Sequence, residues 1–487
     1  MRNDTPKLTR RGFLEGGLAA LGLAGLPGGF LFAAPAGWKR GGKSNLAFGV
    51  VSDLHITMPA SCRMFERALR YFKSRGADAV MVPGDLTDWG LKSALEYVKA
   101  TWDRVFAGTA VVPLFCTGNH DFDGWHYGDM TMEMHANGYS EDEALARRGL
   151  AAEWERVFGE EYAPIRVRTV KGYDFISAEW RNFGDFPEWM AANGERFRGE
   201  RPFFYFQHPP AKGTTPDGEG WSDNGACFAA LKDFQNAIVF TGHSHRPFND
   251  ERSIWQGAFT AIAVPSLSYA CFPPGHENGS DKRNGTSTLA MSVIPDRFNL
   301  RGGQGYLVSV YDDCMVVERI DVEEDCAEGA PAWVVPLGGG ERPYGLEKRT
   351  AASAAPKFPS GASLLCETRN TEDRQGKWAI VMVCEFPSAI PAAGERVFDY
   401  EIRAVPEDGS APLVKKFLSP AYSKMAKYEP PTQRFWFSAA ELPQDVDYRL
   451  EVRAFNCFGK SSASLVSRVW HSVPGLDKAR RDETRKD

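Results

Sequence analysis

The 487-residue sequence contains no run of like charge and no low-complexity stretch. Hydrophobic residues make up 43% of it and charged residues 25%, which are ordinary values for a folded protein. Together these observations exclude a largely disordered chain. Because one hydrophobic core stops growing well below this length, the sequence predicts two or more domains.

The sequence also lacks an excess of positive charge. It has 57 lysines and arginines against 63 aspartates and glutamates, which gives a formal net charge of −6. Such a balance opposes electrostatic binding to a polyanion. We therefore predict no nucleic-acid-binding domain.

The cysteines have neither the even number nor the regular spacing of a disulfide framework. There are nine, all after residue 60. An odd, irregular set in an exported protein argues against extensive pairing, and residues such as Cys62, Cys116 and Cys384 are predicted to be packing thiols.

After residue 37, no segment is apolar enough to cross a membrane. Before it, the sequence Thr9-Arg10-Arg11-Gly12-Phe13-Leu14 is followed by an uncharged stretch that contains Ala34-Pro35-Ala36. This pattern resembles a twin-arginine signal peptide with a small-residue cleavage site, which implies removal of residues 1–36 and a periplasmic or other extracytoplasmic location. The alternative is that the stretch is retained as a membrane anchor.

From residue 45 to residue 325, short apolar runs alternate with helical patterns. The runs at 46–51, 79–82, 110–115, 203–206 and 237–240 are predicted to be buried strands, and residues 305–311 and 315–322 a final strand pair. Helices are predicted around residues 65–72, 91–106 and 141–158. This alternation predicts an α/β domain in which helices cover the sheets.

The rest of the sequence contains two long insertions, a linker and a segment with a β-strand pattern. Residues 123–168 and 265–303 are long connections that we expect to shape the site. Residues 331–360 have the Pro, Gly and Ala content of a linker. Residues 362–475 alternate apolar and polar positions between turns, which predicts an all-β sandwich domain.

Polar clusters follow five of the predicted strands. They are Asp53-Leu54-His55, Gly84-Asp85-Leu86-Thr87-Asp88, Gly118-Asn119-His120-Asp121, His208, and Gly242-His243-Ser244-His245. The carboxyl ends of strands in an α/β sheet form one crevice, so these side chains are expected to converge.

The donors in these clusters are carboxylate, amide and imidazole groups without thiolate, which suits Mn, Fe, Zn or Ni. Seven donors exceed the six that one ion usually takes, so the set predicts two divalent or transition metal ions with Asp85 as their bridge. Such a pair would lower the pKa of bound water from 15.7 towards about 7 and supply a metal-bound hydroxide as nucleophile.

In order, the five clusters resemble the signature of the calcineurin-like metallophosphoesterases, D-x-H, G-D-x-x-D, G-N-H-D, H and G-H-x-H. The resemblance implies a four-layer metallophosphoesterase sandwich. It places Asp53, His55 and His245 on the first ion, Asn119, His208 and His243 on the second, and Asp85 between them. His120 would contact the phosphate and protonate the leaving group, and Asp121 would orient His120.

Other residues near the clusters have two interpretations each. Asp88 stands where the related purple acid phosphatases carry Tyr, so the coloured ferric site is not expected, and we predict that Asp88 fixes loop geometry. Trp125, His126, His135 and Trp221 either contact substrate or pack within their loops.

The segment from Leu442-Pro443 through Tyr448 to Ser461 is similar to the fibronectin type III pattern. The resemblance implies that Tyr448 is a tyrosine corner whose hydroxyl returns to backbone near Leu442. An immunoglobulin-like sandwich of another type is the alternative, and either would serve as a spacer or as a module for an envelope glycan or protein partner.

The sequence therefore predicts an exported, metal-dependent hydrolase of phosphate mono- or diesters. The alternative is a non-catalytic envelope scaffold, in which the phosphoesterase fold and the sandwich domain only hold a glycan or protein.

Overall fold

A computed structural model describes residues 43–123, 149–217, 220–278, 302–339, 341–372, 378–423, 430–438, 441–443 and 445–472. The predicted signal peptide and the residues Trp125, His126 and His135 lie outside these ranges. Within the ranges, no helix combines the length and the apolar character that a membrane span requires.

The first part of the chain forms two six-stranded sheets. In chain order, strands β1 to β12 are Leu46–Val50, Ala79–Pro83, Val112–Cys116, Ile165–Val170, Tyr173–Ala178, Phe203–Gln207, Ala237–Thr241, Ile254–Gln256, Thr260–Ala263, Gln304–Val310, Cys314–Asp321 and Ala327–Pro336. The first sheet has the order β12-β11-β10-β1-β2-β3, and the second has the order β4-β5-β6-β7-β9-β8. Strands β1, β2 and β3 are parallel, as are β5, β6, β7 and β9, so the loops that follow them emerge at common edges.

Helices cover the outer faces of these sheets. In chain order, helices α1 to α8 are Arg63–Ser74, Lys92–Phe106, His120–Asp123, Leu150–Phe158, Phe186–Asn193, Ala226–Leu231, Leu346–Ala352 and Pro420–Ser423. Short 3₁₀ turns occupy Pro59–Cys62, Phe183–Asp185, Gly194–Phe197 and Glu251–Ser253. Phe65, Leu69 and Phe72 recur at helical spacing in α1 and all three are buried, which explains why this segment is an amphipathic helix.

The core between the sheets is rich in aromatic side chains. Phe48 on β1 contacts Phe175, Phe204 and Phe240 of the opposite sheet edge-on, at centroid distances of 5.3, 5.1 and 5.9 Å. Separate clusters join α1, α2 and α4 to the first sheet and α5 and α6 to the second. The layers are helix, sheet, sheet and helix, which confirms the predicted four-layer α/β sandwich.

The C-terminal part is built from two further antiparallel sheets. In chain order, strands β13 to β20 are Leu365–Glu372, Trp378–Pro387, Asp399–Pro406, Leu413–Leu418, Thr432–Ser438, Asp447–Phe455, Leu465–Val466 and Trp470–His471. One sheet has the order β13-β14-β17, and the other has β16-β15-β18 with β19 and β20 both paired to β18. A buried cluster draws side chains from both sheets, so this part has its own core.

The linker predicted at residues 331–360 contains regular structure at residues 331–336 and 346–352. Residues 327–336 form β12, which pairs with β11 at the edge of the first sheet. An edge strand tolerates the missing N–H of Pro331, and this is why the composition of a linker also fits a strand here. Residues 346–352 form α7, whose Arg349 is buried against the first domain.

Polar contacts join the C-terminal part to loops of the first part of the chain. The Tyr422 hydroxyl donates to Asp250 Oδ2 at 3.2 Å, and Asn249 Nδ2 donates to the Ala421 carbonyl at 3.0 Å. His276 Nε2 lies 2.8 Å from Asp399 Oδ2. Asn249 and Asp250 follow His245 closely in sequence, and His276 lies in the segment after β9. The C-terminal part therefore touches segments that are predicted to shape the site.

No disulfide bond joins any of the nine cysteines, all of which fall within the described ranges. Cys62, Cys116 and Cys384 are buried, as expected for packing thiols.

Candidate metal centre

The five polar clusters lie at the carboxyl ends of strands from both sheets. Those that begin at Asp53, Asp85 and Asn119 follow β1, β2 and β3, and those that begin at His208 and His243 follow β6 and β7. Because both groups of strands end on the same side of the sandwich, residues separated by up to 192 positions meet in one place. The structure thus brings together the side chains that the sequence analysis selected.

Four side chains form the first group, namely Asp53, His55, Asp85 and His245. His245 Nε2 lies 2.8 Å from Asp53 Oδ1 and 3.3 Å from His55 Nε2. All four residues are at most 5% exposed. This is the set predicted for the first ion together with the bridging residue.

Asp85, His208 and His243 form the second group. His208 Nε2 lies 3.2 Å from Asp85 Oδ2 and 3.1 Å from His243 Nδ1. Asp85 belongs to both groups, which is the position that a bridging carboxylate requires.

The donor atoms have the spacing of ligands around shared ions. Neighbouring ligand atoms bound about 2.0 to 2.2 Å from one ion lie roughly 2.8 to 3.6 Å from each other in octahedral or tetrahedral geometry. Asp85 Oδ2 lies 3.2 Å from His208 Nε2 and 3.6 Å from His55 Nε2, yet it is buried and accepts no hydrogen bond. A buried carboxylate oxygen between two imidazoles fits a cation bound on each side of it.

The outer ring nitrogens of three ligands are held by acceptors. His55 Nδ1 donates to Asp88 Oδ1 at 2.7 Å, His208 Nδ1 to the Pro83 carbonyl at 2.9 Å, and His245 Nδ1 to the Tyr269 carbonyl at 2.8 Å. Each bond fixes the ring orientation and places the unprotonated nitrogen, Nε2, towards the centre of the site.

The backbone at the ligands is unusual. Asp53, His55, Asp85, His243 and His245 all have φ between 46° and 65°, in the left-handed region. Ten non-glycine residues of the described ranges have positive φ, and these five account for half of them. Asp and His tolerate this region better than most residues, and such conformations concentrate at functional sites where the surrounding structure enforces them.

Two glycines allow the close approach of these loops. A Cβ on Gly118 would lie 2.1 Å from Asp85 Oδ1 and 2.5 Å from the Asp85 backbone nitrogen. A Cβ on Gly84, whose φ is +97°, would lie 2.2 Å from His208 Nδ1. Both positions therefore need glycine because any side chain would collide with a candidate ligand.

The buried carboxylates attract positive charge. Burial opposes ionisation of Asp85, but the nearby positive charge of His208, followed by that of His120 and His55, holds the pKa of Asp85 well below its usual value. Burial likewise opposes protonation of His208, but Asp85 and then Asp53 raise the pKa of His208 to about 9. Metal binding displaces such a proton, because a ligating imidazole must be neutral.

Asn119, His120 and Asp121 lie on the loop after β3 and the start of α3. Asn119 is buried, and the backbone N–H of His120 donates to Asp85 Oδ1 at 2.9 Å. The His120 ring lies 4.6 Å from the ring of His55 and is partly exposed, as a residue that contacts substrate must be.

The role predicted for Asp121 needs correction. Its carboxylate accepts hydrogen bonds from the backbone of Leu86, Thr87 and Gly118 and from the Thr87 hydroxyl. His120 Nδ1 instead donates to the Asp88 carbonyl at 2.8 Å. Asp121 therefore ties two ligand loops together, and the Asp88 backbone takes the orienting position. A backbone acceptor has no sequence signature, which is why sequence analysis assigned the role to the adjacent carboxylate.

Three aromatic residues beside the ligands extend the site. The ring of Tyr269 lies 5.0 Å from His55 and 4.3 Å from His245, and that of Trp180 lies 5.8 Å from His208. Trp221 lies 5.2 Å from His243. Only Trp221 was considered from sequence. Trp180 follows β5, and the hairpin signal before that strand, Lys171-Gly172 with both residues at positive φ, could have revealed it.

Comparisons with known proteins give a family match for the first domain. Residues 46–247 match the calcineurin-like phosphoesterase family. No curated protein matches the chain.

Solved structures with a similar fold include a dimetal phosphatase from Danio rerio, at 12% identity, 60% coverage of this chain, 99% coverage of the other and a TM-score of 0.34. A purple acid phosphatase from yellow lupin, Lupinus luteus, is 12% identical, and the match covers 60% of this chain and 53% of the other, with a TM-score of 0.37.

The family match ends at residue 247 and so takes in all five ligand clusters. Of the three groups of possible metal ligands in the described residues, the two that share Asp85 supply the donors that a dinuclear centre of this family needs. Residues 46–247 are therefore a calcineurin-like phosphoesterase domain, and the chain is a phosphoesterase that uses two divalent metal ions.

Proposed function

We propose that the chain hydrolyses phosphate mono- or diesters outside the cytoplasm at a dinuclear metal centre. The observation that carries this proposal is the position of Asp85 Oδ2, which is buried, accepts no hydrogen bond and lies between His55 of one ligand group and His208 of the other. A purely structural carboxylate in such a place would be left without a partner, which is costly.

The ligand roles follow from the two groups. Asp53, His55 and His245 would hold the first ion. His208 and His243 would hold the second together with the adjacent Asn119, and Asp85 would contact both. When bound, the two ions would neutralise the phosphate charge and acidify a water molecule to the point at which it attacks near neutral pH.

His120 would act on the leaving group. Its Nδ1 donates to the Asp88 carbonyl, so proton exchange with the substrate falls to Nε2. Partial exposure gives that ring access to the substrate. Protonation of the leaving alkoxide by such a group typically contributes about 10² to 10⁴ in rate.

The test is hydrolysis by the full chain after loading with Mn or Zn. Aryl phosphate monoester and diester are assayed in parallel for the wild type, Asp85→Asn, His120→Ala and the exposed control Asp312→Asn. We expect hydrolysis of at least one ester, its loss in Asp85→Asn and His120→Ala, and no change in Asp312→Asn. Fewer than about one equivalent of metal per chain, with no hydrolysis, would favour the scaffold alternative.

We propose export through the twin-arginine route on the pattern of residues 9–14 and cleavage after residue 36. The pattern supports the proposal through its paired arginines and its weakly apolar, uncharged stretch. Replacing Arg10 and Arg11 with lysine should retain the full-length precursor in the cytoplasm. Export of that variant at the wild-type level would contradict the route, and a mature chain that still starts at residue 1 would favour the membrane anchor.

We propose that residues 362–475 are a fibronectin type III-like domain, with an immunoglobulin-like arrangement of sheets. Support comes from the Tyr448 hydroxyl, which donates to the Pro443 carbonyl at 3.2 Å as a tyrosine corner does. We further propose an envelope glycan or protein as its partner. Cosedimentation of the full chain with purified envelope glycan tests the first of these, with a chain incubated without glycan as control.

A further inference from the structure

Trp221 is a large apolar side chain that stays exposed at the edge of the metal centre. Its exposed fraction is 45%, and its ring lies 5.2 Å from the ring of His243 at an interplanar angle of 50°. Among the strongly exposed large apolar side chains of the described ranges, Trp221 alone makes a ring contact with a candidate metal ligand. Part of the indole surface therefore remains open to solvent directly beside a candidate metal ligand.

Hydrogen bonds hold the residues that follow Trp221. Two residues further on, the buried Asp223 carboxylate accepts hydrogen bonds from the backbone N–H groups of Lys212, Gly225 and Cys227, at 3.0, 2.9 and 2.6 Å. The side chain of Gln207, at the end of β6, donates to the same carboxylate at 3.1 Å. Trp221 therefore lies two residues before a carboxylate that is hydrogen-bonded to Gln207, the residue that precedes His208.

The other two aromatic residues at the site are more enclosed. The Tyr269 ring packs on His55 and His245, and the Tyr269 carbonyl accepts a hydrogen bond from His245. The contacts of this residue are therefore with candidate ligands. Trp180 is half-buried and contacts both His208 and His243, at 5.8 and 5.7 Å. Trp221 thus offers the ring surface that an incoming molecule can reach.

We propose that Trp221 is a specificity-determining residue, and that the substrates are phosphate esters whose organic part carries a planar aromatic ring. The inference rests on the proposed phosphoesterase function. Trp221 contacts the ring of His243, a residue of the second ligand group, so an aromatic ring attached close to a phosphate bound at that group would lie beside the indole. Nucleotide esters and aryl-bearing esters share this chemistry, because every aromatic ring has a face that can stack on Trp.

The direct test is binding of two phosphonates that are not hydrolysed and that differ in one feature. Benzylphosphonate has a planar ring, and cyclohexylmethylphosphonate has a saturated ring of similar size on the same linker. Calorimetric titration of the metal-loaded full chain should give tighter binding of benzylphosphonate. In Trp221→Ala this preference should fall by about 5- to 150-fold, the range that aromatic stacking of one ring supplies.

Further variants separate stacking from simple apolar contact. Trp221→Phe should keep most of the preference, whereas Trp221→Leu should lose it. Phe228→Ala, which removes another exposed aromatic residue, should leave the preference unchanged. Inorganic phosphate should bind equally to all variants. Equal affinities of the wild type for the two phosphonates, or an undiminished preference in Trp221→Ala, would overturn the inference.

Benzyl phosphate and cyclohexylmethyl phosphate then separate this inference from the proposed function. Their leaving alkoxides are similar, so a change in kcat/KM ratio reports ring recognition. If both esters are hydrolysed and Trp221→Ala does not alter their ratio, the inference fails and the proposed function stands. If neither these esters nor any aryl phosphate is hydrolysed while benzylphosphonate still binds preferentially through Trp221, the proposed function fails and the ring site stands.

Discussion

Asp88 Oδ1 lies 2.7 Å from His55 Nδ1, on the side of the imidazole that faces away from the other ligands. This hydrogen bond orients His55, a residue of the first ligand group, through a carboxylate that lies outside that group. We expect Asp88→Ala to lower metal affinity by about 10- to 100-fold, as loss of such partners usually does. Asp88→Asn should lose less, because the amide oxygen still accepts from His55.

Metal titration of the chelator-treated protein measures this effect. The backbone carbonyl that holds His120 remains in both variants, so the loss should appear mainly in metal affinity and recover at high metal concentration. A loss of activity in Asp88→Ala that persists at saturating metal would contradict the orienting role.

Gly118→Ala should disrupt the site through Asp85. The added methyl group would lie 2.1 Å from Asp85 Oδ1 and 2.5 Å from its backbone nitrogen, and the backbone cannot yield without moving the bridging ligand. We expect loss of at least one metal equivalent per chain and a thermal stability reduced by several degrees. Gly184→Ala is the matched control, since its Cβ would meet nothing within 4 Å. Full metal content in Gly118→Ala would contradict this explanation.

Glu251 is buried between two arginines at the boundary of the domains. Its Oε1 accepts from Arg319 at 2.6 Å, and its Oε2 accepts from Arg349 at 3.3 Å and from the Trp333 indole at 3.1 Å. Burial opposes its ionisation, but Arg319 and Arg349 lower the pKa of Glu251 below its usual value near 4.5. Glu251→Gln leaves two buried guanidinium groups without their counter-charge and should cost about 3 to 5 kcal/mol at pH 7.

The stability difference between wild type and Glu251→Gln should depend on pH in a defined direction. A carboxylate with a lowered folded pKa stabilises the fold fully above its unfolded pKa, and that contribution is lost as the pH falls through the folded value. The difference between wild type and Glu251→Gln in urea unfolding should therefore shrink as the pH decreases below about 4.5. A difference that stays constant as the pH falls from 7 to well below 4.5 would show that the charge of Glu251 is not its source.

Tyr422→Phe tests the contact between the C-terminal part and the phosphoesterase domain. The change removes the hydroxyl that donates to Asp250 Oδ2 and keeps the ring that packs on Phe272. A hydrogen bond to a charged acceptor contributes about 1.5 to 3 kcal/mol. We expect a loss of that order in chemical unfolding, measured by tryptophan fluorescence. Tyr311→Phe, on a partly exposed residue elsewhere in the chain, is the control. Equal stability of Tyr422→Phe and wild type would mean that the contact contributes nothing.

The sequence predicted the architecture best where periodicity and burial agree. The runs at 46–51, 79–82, 203–206 and 237–240 became β1, β2, β6 and β7, because a buried parallel strand is a short apolar run closed by a polar loop. It failed at β12, where edge position removes the usual objection to proline.

Within the site, convergence of the clusters followed from the rule that strand ends share an edge. The hydrogen-bond partners of the outer ring nitrogens could not be predicted in this way. Two of them are the backbone carbonyls of Pro83 and Tyr269, and the type of these residues does not indicate that role. The same reason explains the wrong role for Asp121. Backbone acceptors become visible only when the loops are placed in space.

Five donors of this centre sit on backbone that most amino acids resist, with φ between 46° and 65°. The same side chains placed on a regular sheet would consequently not reproduce the centre, because the left-handed backbone conformations set the directions of the side chains. Exchange of these aspartates for glutamate, or of these histidines for a β-branched residue, changes both the donor and the bend. The loop conformations therefore limit the ligand positions to the few residue types that tolerate positive φ.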